Sequence, residues 1–142
     1  MTGKRNTRPR DEFGRPLPYG MPGTDRVADD YAPTAEEAIA QATRLLAMGR
    51  PFHAHEVFEA RWKTGPGDER DLWQGLAQIC VGLTHLQREN PRGAEALLER
   101  GIARISGYAA REPYGMDLGA IERAARGGDP LRAVAEVFQS HS

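Results

Sequence analysis

The sequence predicts an all-α fold, an up-and-down bundle of five or six helices behind a flexible N-terminal tail. Three observations carry that prediction. Apolar residues recur at helical spacing from Ala35 onward, and helix start and stop residues sit at the ends of those runs. No stretch alternates apolar and polar residues as a half-buried strand would. A length of 142 residues fits one compact domain, assigned to residues 31–142.

Residues 1–30 hold four of the ten prolines (Pro9, Pro16, Pro18 and Pro22) and show no apolar periodicity. Such a segment buries too little surface to offset its ordering entropy, which makes it the tail. Its first ten residues carry Lys4, Arg5, Arg8 and Arg10 and no acid, a solvated extension rather than a committed binding patch. Thr34 and Glu37 then form a capping box, and Ala35, Ala38, Ile39, Ala42, Leu45 and Leu46 follow at helical spacing until Gly49. The second helix is expected over Pro51–Lys63, with proline in the first turn where its missing N–H costs nothing. Gly65-Pro66-Gly67-Asp68 is a loop by composition, and the longest helix follows over Glu69–Glu89. Asn90-Pro91 caps a fourth helix carrying Ala94, Leu97, Leu98, Ile102, Ile105 and Tyr108 on one side. Pro113-Tyr114-Gly115 breaks it. Asp117 caps a short fifth helix, and Asp129-Pro130 opens a sixth that ends near Gln139.

Composition narrows the function classes. Nineteen Lys+Arg against twenty Asp+Glu leave a net charge of −1, so no basic excess drives phosphate binding, and nucleic acid is disfavoured as a partner. No run approaches the roughly 18 apolar residues of a membrane span, and no apolar segment follows the basic start as a secretory signal requires. A soluble, cytoplasmic protein is the expectation. The single cysteine, Cys80, rules out an internal disulfide and reads as a small core residue. No glycine-rich phosphate loop or nucleophile elbow is present.

The second helix places polar residues where apolar ones are expected. Phe52, His55, Glu59 and Trp62 fall within an arc of about 80°. That pattern makes them a core-facing stripe, with Phe52 and Trp62 substantially buried, Glu56 at its edge and His53 pointing nearly the opposite way. A buried carboxylate requires a cation, a metal or several donors. The third helix offers partners. Leu72, Leu76, Ile79, Leu83 and Leu86 make one apolar stripe; Gln74, Gln78, Val81 and His85 make another nearly opposite, with Gly75 and Gly82 beside it. Interior glycines cost about 1 kcal/mol each relative to alanine, so a close helix or ligand is a reason to keep them. The expectation is that the two helices pack His55 and Glu59 against Gln78 and His85, enclosing a small polar pocket.

The segment Phe52-His53-Ala54-His55-Glu56-Val57-Phe58-Glu59-Ala60-Arg61-Trp62 resembles the H-E-x-x-E-x-x-W helix of the domain-of-unknown-function 309 family, small helical proteins of bacteria and archaea. The likeness continues through Gln74-Gly75-Leu76-Ala77-Gln78, His85, Asn90-Pro91-Arg92-Gly93-Ala94 and Leu97-Leu98. It closes on Tyr114-Gly115-Met116-Asp117 and covers about residues 35–126. It implies an all-α bundle and, residue by residue, a polar set of His55, Glu56, Glu59, Gln74, Gln78 and His85. His53 departs from the pattern, lies off the motif side and is not read as a ligand. The family has no established activity, and its label of metal-dependent hydrolase rests on the H-E-x-x-E motif.

Two classes of function follow. The first is a ligand- or partner-binding or structural module, with His55, Glu59, Trp62, Gln74, Gln78 and His85 around a cleft for an unknown small molecule or protein. The alternative is a hydrolase holding a divalent metal such as zinc on His55, Glu59 and His85, with Glu56 as general base. Replacing the second histidine of an H-E-x-x-H helix by Glu59 keeps a ligand-capable atom one turn away but weakens the motif. The binding or structural class is favoured, and the residues name neither substrate nor oligomeric state.

Overall fold

A computed structural model describes residues 31–141, so the tail expected over residues 1–30 lies outside the described residues. The described chain forms six α-helices: α1 (Ala35–Ala47), α2 (Pro51–Thr64), α3 (Arg70–Gln87), α4 (Pro91–Ile105), α5 (Leu118–Ala125) and α6 (Pro130–His141). Short 3₁₀ segments at Gly67–Glu69, Ser106–Arg111 and Pro113–Gly115 connect them, and no strand occurs among the described residues. No helix among them is long and apolar enough to cross a membrane.

The helix ends follow the side-chain chemistry at each boundary. Thr34 Oγ1 accepts from the Glu37 amide at 3.0 Å, and Glu37 Oε1 accepts from the Thr34 amide at 2.9 Å, closing the capping box of α1. Gly49 ends that helix with φ +73°, a left-handed conformation disfavoured for residues with a Cβ. Asn90 Oδ1 accepts from the Gly93 amide at 3.2 Å, and Asp117 Oδ1 from the Ala120 amide at 3.0 Å.

The α3 helix lies between α2 and α4, while α1 packs on α2 and α6, and α5 packs on α6. Toward α4 the separation is set by glycine. A Cβ added to Gly75 would come within 2.7 Å of Ile105, one added to Gly82 within 2.8 Å of Leu98, and one added to Gly101 within 2.6 Å of the Gly75 carbonyl. The small residues therefore serve the close approach of a second helix, and α4 covers the amide-rich side of α3. Toward α2 the spacing is filled by rings: Phe58 stacks on Trp73 with centroids 6.0 Å apart, and Phe138 of α6 lies 6.0 Å from Phe58. Leu72, Leu76, Ile79 and Leu83 of α3 are buried, as are Met116, Leu118 and Ile121 beyond α4.

The orientation of α2 differs from the sequence expectation. Ala54, Val57 and Phe58 are fully buried and His53 is 2% exposed, whereas Phe52, His55, Glu59 and Trp62 are all partly exposed. Both sides of this helix carry large apolar residues, so ring size alone does not choose between them. The carboxylate of Glu59 chooses. Its burial would need fixed partners such as Arg61 finds on the inner side in the Pro33 carbonyl, Glu69 and the Trp73 ring, so the side bearing His53 and Arg61 turns inward. Trp62 lies at the boundary and packs against the core from its edge.

Candidate functional site

On the outer side of α2, His55 Nδ1 lies 3.0 Å from the Phe52 carbonyl oxygen. A carbonyl only accepts, so Nδ1 carries a proton and Nε2 is the ring nitrogen turned toward Glu59. That nitrogen lies 3.9 Å from Glu59 Oε1, with side-chain exposures of 18% and 37%. The Phe52 ring sits 5.1 Å from the imidazole, and the Arg88 guanidinium lies 5.8 Å from the centre of the same Phe52 ring. Trp62 completes the row, its indole N–H buried with no acceptor among the described residues. The result is an imidazole and a carboxylate, loosely paired between two aromatic side chains. Glu56 is partly buried at the margin of this row.

The polar residues of α3 have other partners. Gln78 Oε1 accepts from Arg104 Nε of α4 at 3.1 Å, and Arg104 also reaches Asp71 at 2.7 Å. Gln74 is partly buried on the same side. At the far end, His85 Nδ1 stands 3.0 Å from Asn90 Nδ2. The amide of Asn90 cannot be turned round, because its oxygen already accepts from the Gly93 amide at 3.2 Å to cap α4. Nδ2 therefore donates, His85 Nδ1 accepts, and in the neutral ring the proton sits on Nε2. A metal-bound histidine ordinarily turns its other ring N–H toward an acceptor. His55 meets that condition and His85 does not: metal on His85 Nε2 would set an N–H against the Asn90 amide. Among the described residues no group of three or more His, Cys, Asp and Glu side chains could hold a metal ion, so His55, Glu59 and His85 are not gathered into one. Gln78, expected to face His55 and Glu59, pairs with Arg104 of α4 on the side where Gly75 and Gly82 admit that helix.

A second polar cluster among the described residues centres on Glu69, which the sequence did not single out. Glu69, just before α3, accepts from Trp73 Nε1 at 3.0 Å and from the Tyr114 hydroxyl at 2.6 Å, with Arg61 at 3.5 Å. Arg61 also donates to the Pro33 carbonyl at 3.3 Å, and its guanidinium lies 5.5 Å from the Trp73 ring centre. Burial alone would push the Glu69 carboxyl up, but donation from Tyr114, Trp73 and Arg61 outweighs it and holds the group below the ordinary carboxylate range. The Tyr114 hydroxyl is pushed up in turn by its bond to Glu69. One signal was available in the sequence: Glu69 and Trp73 are four residues apart, the spacing of neighbours on one side of a helix.

Two further features lie away from these clusters. Cys80 is fully buried, and burial pushes its thiol well above the ordinary range, which suits a core residue. An open groove of about 760 Å³ runs between the end of α1 and α6, lined in part by Leu46, Gly49, Leu131, Arg132 and Ala135.

Residues 39–97 match the family model described as Domain of unknown function (DUF309), a span running from α1 into α4. The chain is also 35% identical over 72 residues to the uncharacterized protein YpuF of Bacillus subtilis (strain 168), a stretch covering 49% of this chain. That stretch spans 41% of the relative's own length. No solved structure matches the chain.

Proposed function

Residues 39–97 belong to the domain-of-unknown-function 309 family, and on that premise we propose that the chain is a binding module whose contact surface is the outer side of α2. The unit that carries this surface is the single helical domain assigned to residues 31–142. One observation supports the reading above others: His55 and Glu59 stand 3.9 Å apart and partly exposed between Phe52 and Trp62, with the whole apolar side of α2 already used by the core. A part-exposed carboxylate beside an imidazole and flanked by rings suits a ligand or peptide that offers N–H donors on an apolar body. Gln78 and His85 act in this reading as ties between α3 and α4 rather than as part of the contact surface.

The test is a nuclear magnetic resonance screen of the full chain with small aromatic amines and guanidines as probes. Chemical-shift changes are expected to cluster on amides 52–63 and to vanish in Glu59→Ala. Changes confined to the α1–α6 groove would overturn the assignment of the surface. Stoichiometric zinc in untagged protein, lost in both Glu59→Gln and Glu59→Ala, would replace the binding module with the hydrolase reading.

A further inference from the structure

The connection between α4 and α5 contains an unusual turn. Glu112, Tyr114 and Gly115 all have positive φ, at 44°, 56° and 80°, and two of these three carry side chains that disfavour it. The turn is fixed on either side. Before it, the Tyr108 hydroxyl donates to the Asp68 carbonyl at 2.9 Å; after it, Met116 is buried. Between those anchors one side chain ties the turn down. Tyr114 donates to Glu69 at 2.6 Å, and its ring lies 5.8 Å from that of Trp73. Tyr114 remains 37% exposed, while Trp73 beneath it is fully buried. It stands at the outer end of a row of rings running Phe138, Phe58, Trp73, Tyr114.

We propose that the Glu112–Gly115 turn is a latch that opens locally about its two anchors, held shut by the Tyr114–Glu69 hydrogen bond, and that opening uncovers Trp73. The strained backbone favours release, and the hydroxyl and ring of Tyr114 oppose it. The place left behind has an indole floor and the Arg61–Glu69 pair at its rim, so the closed Tyr114 occupies it as a phenolic ligand would. The latch joins the family-matched helices to the C-terminal elements, since Glu69 and Trp73 lie inside residues 39–97 and Tyr114 outside them.

Hydrogen exchange reads the opening directly, because the Gly115 amide donates to the Glu112 carbonyl at 2.8 Å and the Met116 amide to the Pro113 carbonyl at 3.0 Å. Tyr114→Phe keeps the ring and removes the hydroxyl. Loss of a hydrogen bond to a charged group is expected to speed exchange at those two amides by about tenfold, with the Ile79 and Leu83 amides of α3 unchanged. Unchanged exchange at Gly115 and Met116, or equal acceleration in α3, would overturn the latch. In a Trp62→Phe background, where Trp73 is the sole tryptophan, acrylamide should quench fluorescence more strongly after Tyr114→Phe. Equal quenching would mean that opening leaves Trp73 covered.

Discussion

Helix α2 presents two long sides of similar residue content and opposite mechanical character. Inward it carries Ala54, Val57 and Phe58, fully buried, and Arg61, whose guanidinium is shared among Pro33, Glu69 and the Trp73 ring. Outward it carries Phe52, His55, Glu59 and Trp62, partly exposed, with His55 Nε2 and Glu59 Oε1 3.9 Å apart. Each side has aromatic bulk and each has a charge. The difference is that the inner charge has several fixed partners, whereas the outer carboxylate keeps much of its hydration. Burial follows the number of partners a charge can find, not the amount of apolar surface beside it.

The contrast can be broken most forcefully at Phe58. Truncation to alanine removes a ring packed between Trp73 and Phe138, and urea unfolding should show a loss of about 3–5 kcal/mol. A loss below about 1 kcal/mol would mean that the inner side relaxes as easily as the outer one. Acid is the next lever. The Glu69 carboxyl is held low in the folded state, so its contribution is complete above the unfolded carboxylate value and is lost as pH falls through the folded one. Unfolding midpoints measured from neutral pH downward should therefore fall more steeply in the parent chain than in Glu69→Gln, the two curves converging at the acid end. The smallest effect is expected on the outer side. Glu59→Ala should change stability by less than about 0.5 kcal/mol, as for a loosely held surface pair. A loss of several kcal/mol there would make His55–Glu59 a structural pair and erase the distinction.

The fold was largely legible because its signals are local. Thr34 with Glu37, Asn90 before Pro91, and Asp117 each announce a helix start by chemistry confined to a single turn. The leucine stripe of α3 was equally plain, since one side of that helix is strongly apolar. The orientation of α2 was not, because its two sides differ little in apolar content and the decision rests on desolvation and on partners supplied by other helices. Gly75 and Gly82 signalled a close neighbour without saying which, and Gly101, the reciprocal small residue on α4, gave the answer only in three dimensions. The Glu69 cluster was hidden for a related reason: Arg61, Trp73 and Tyr114 are brought to it from three different elements, and Tyr114 arrives through left-handed backbone that no residue pattern announces. The 3₁₀ segments after α4 escaped for the same cause.

The glycine seam between α3 and α4 also bears on how the chain reaches this fold. The two helices are neighbours in sequence, joined through Arg88–Asn90, where Glu89 takes φ 59° and the Asn90 amide donates to the His85 carbonyl at 2.8 Å. Closing so short a loop forfeits little chain entropy. Where backbone meets backbone across Gly75 and Gly101, few rotamers have to be frozen before the contact pays. Such a hairpin can form ahead of partners distant in sequence, a low-contact-order start onto which α2 and then the terminal helices condense. The residues that bring the helices nearest would then also set the order in which the others arrive.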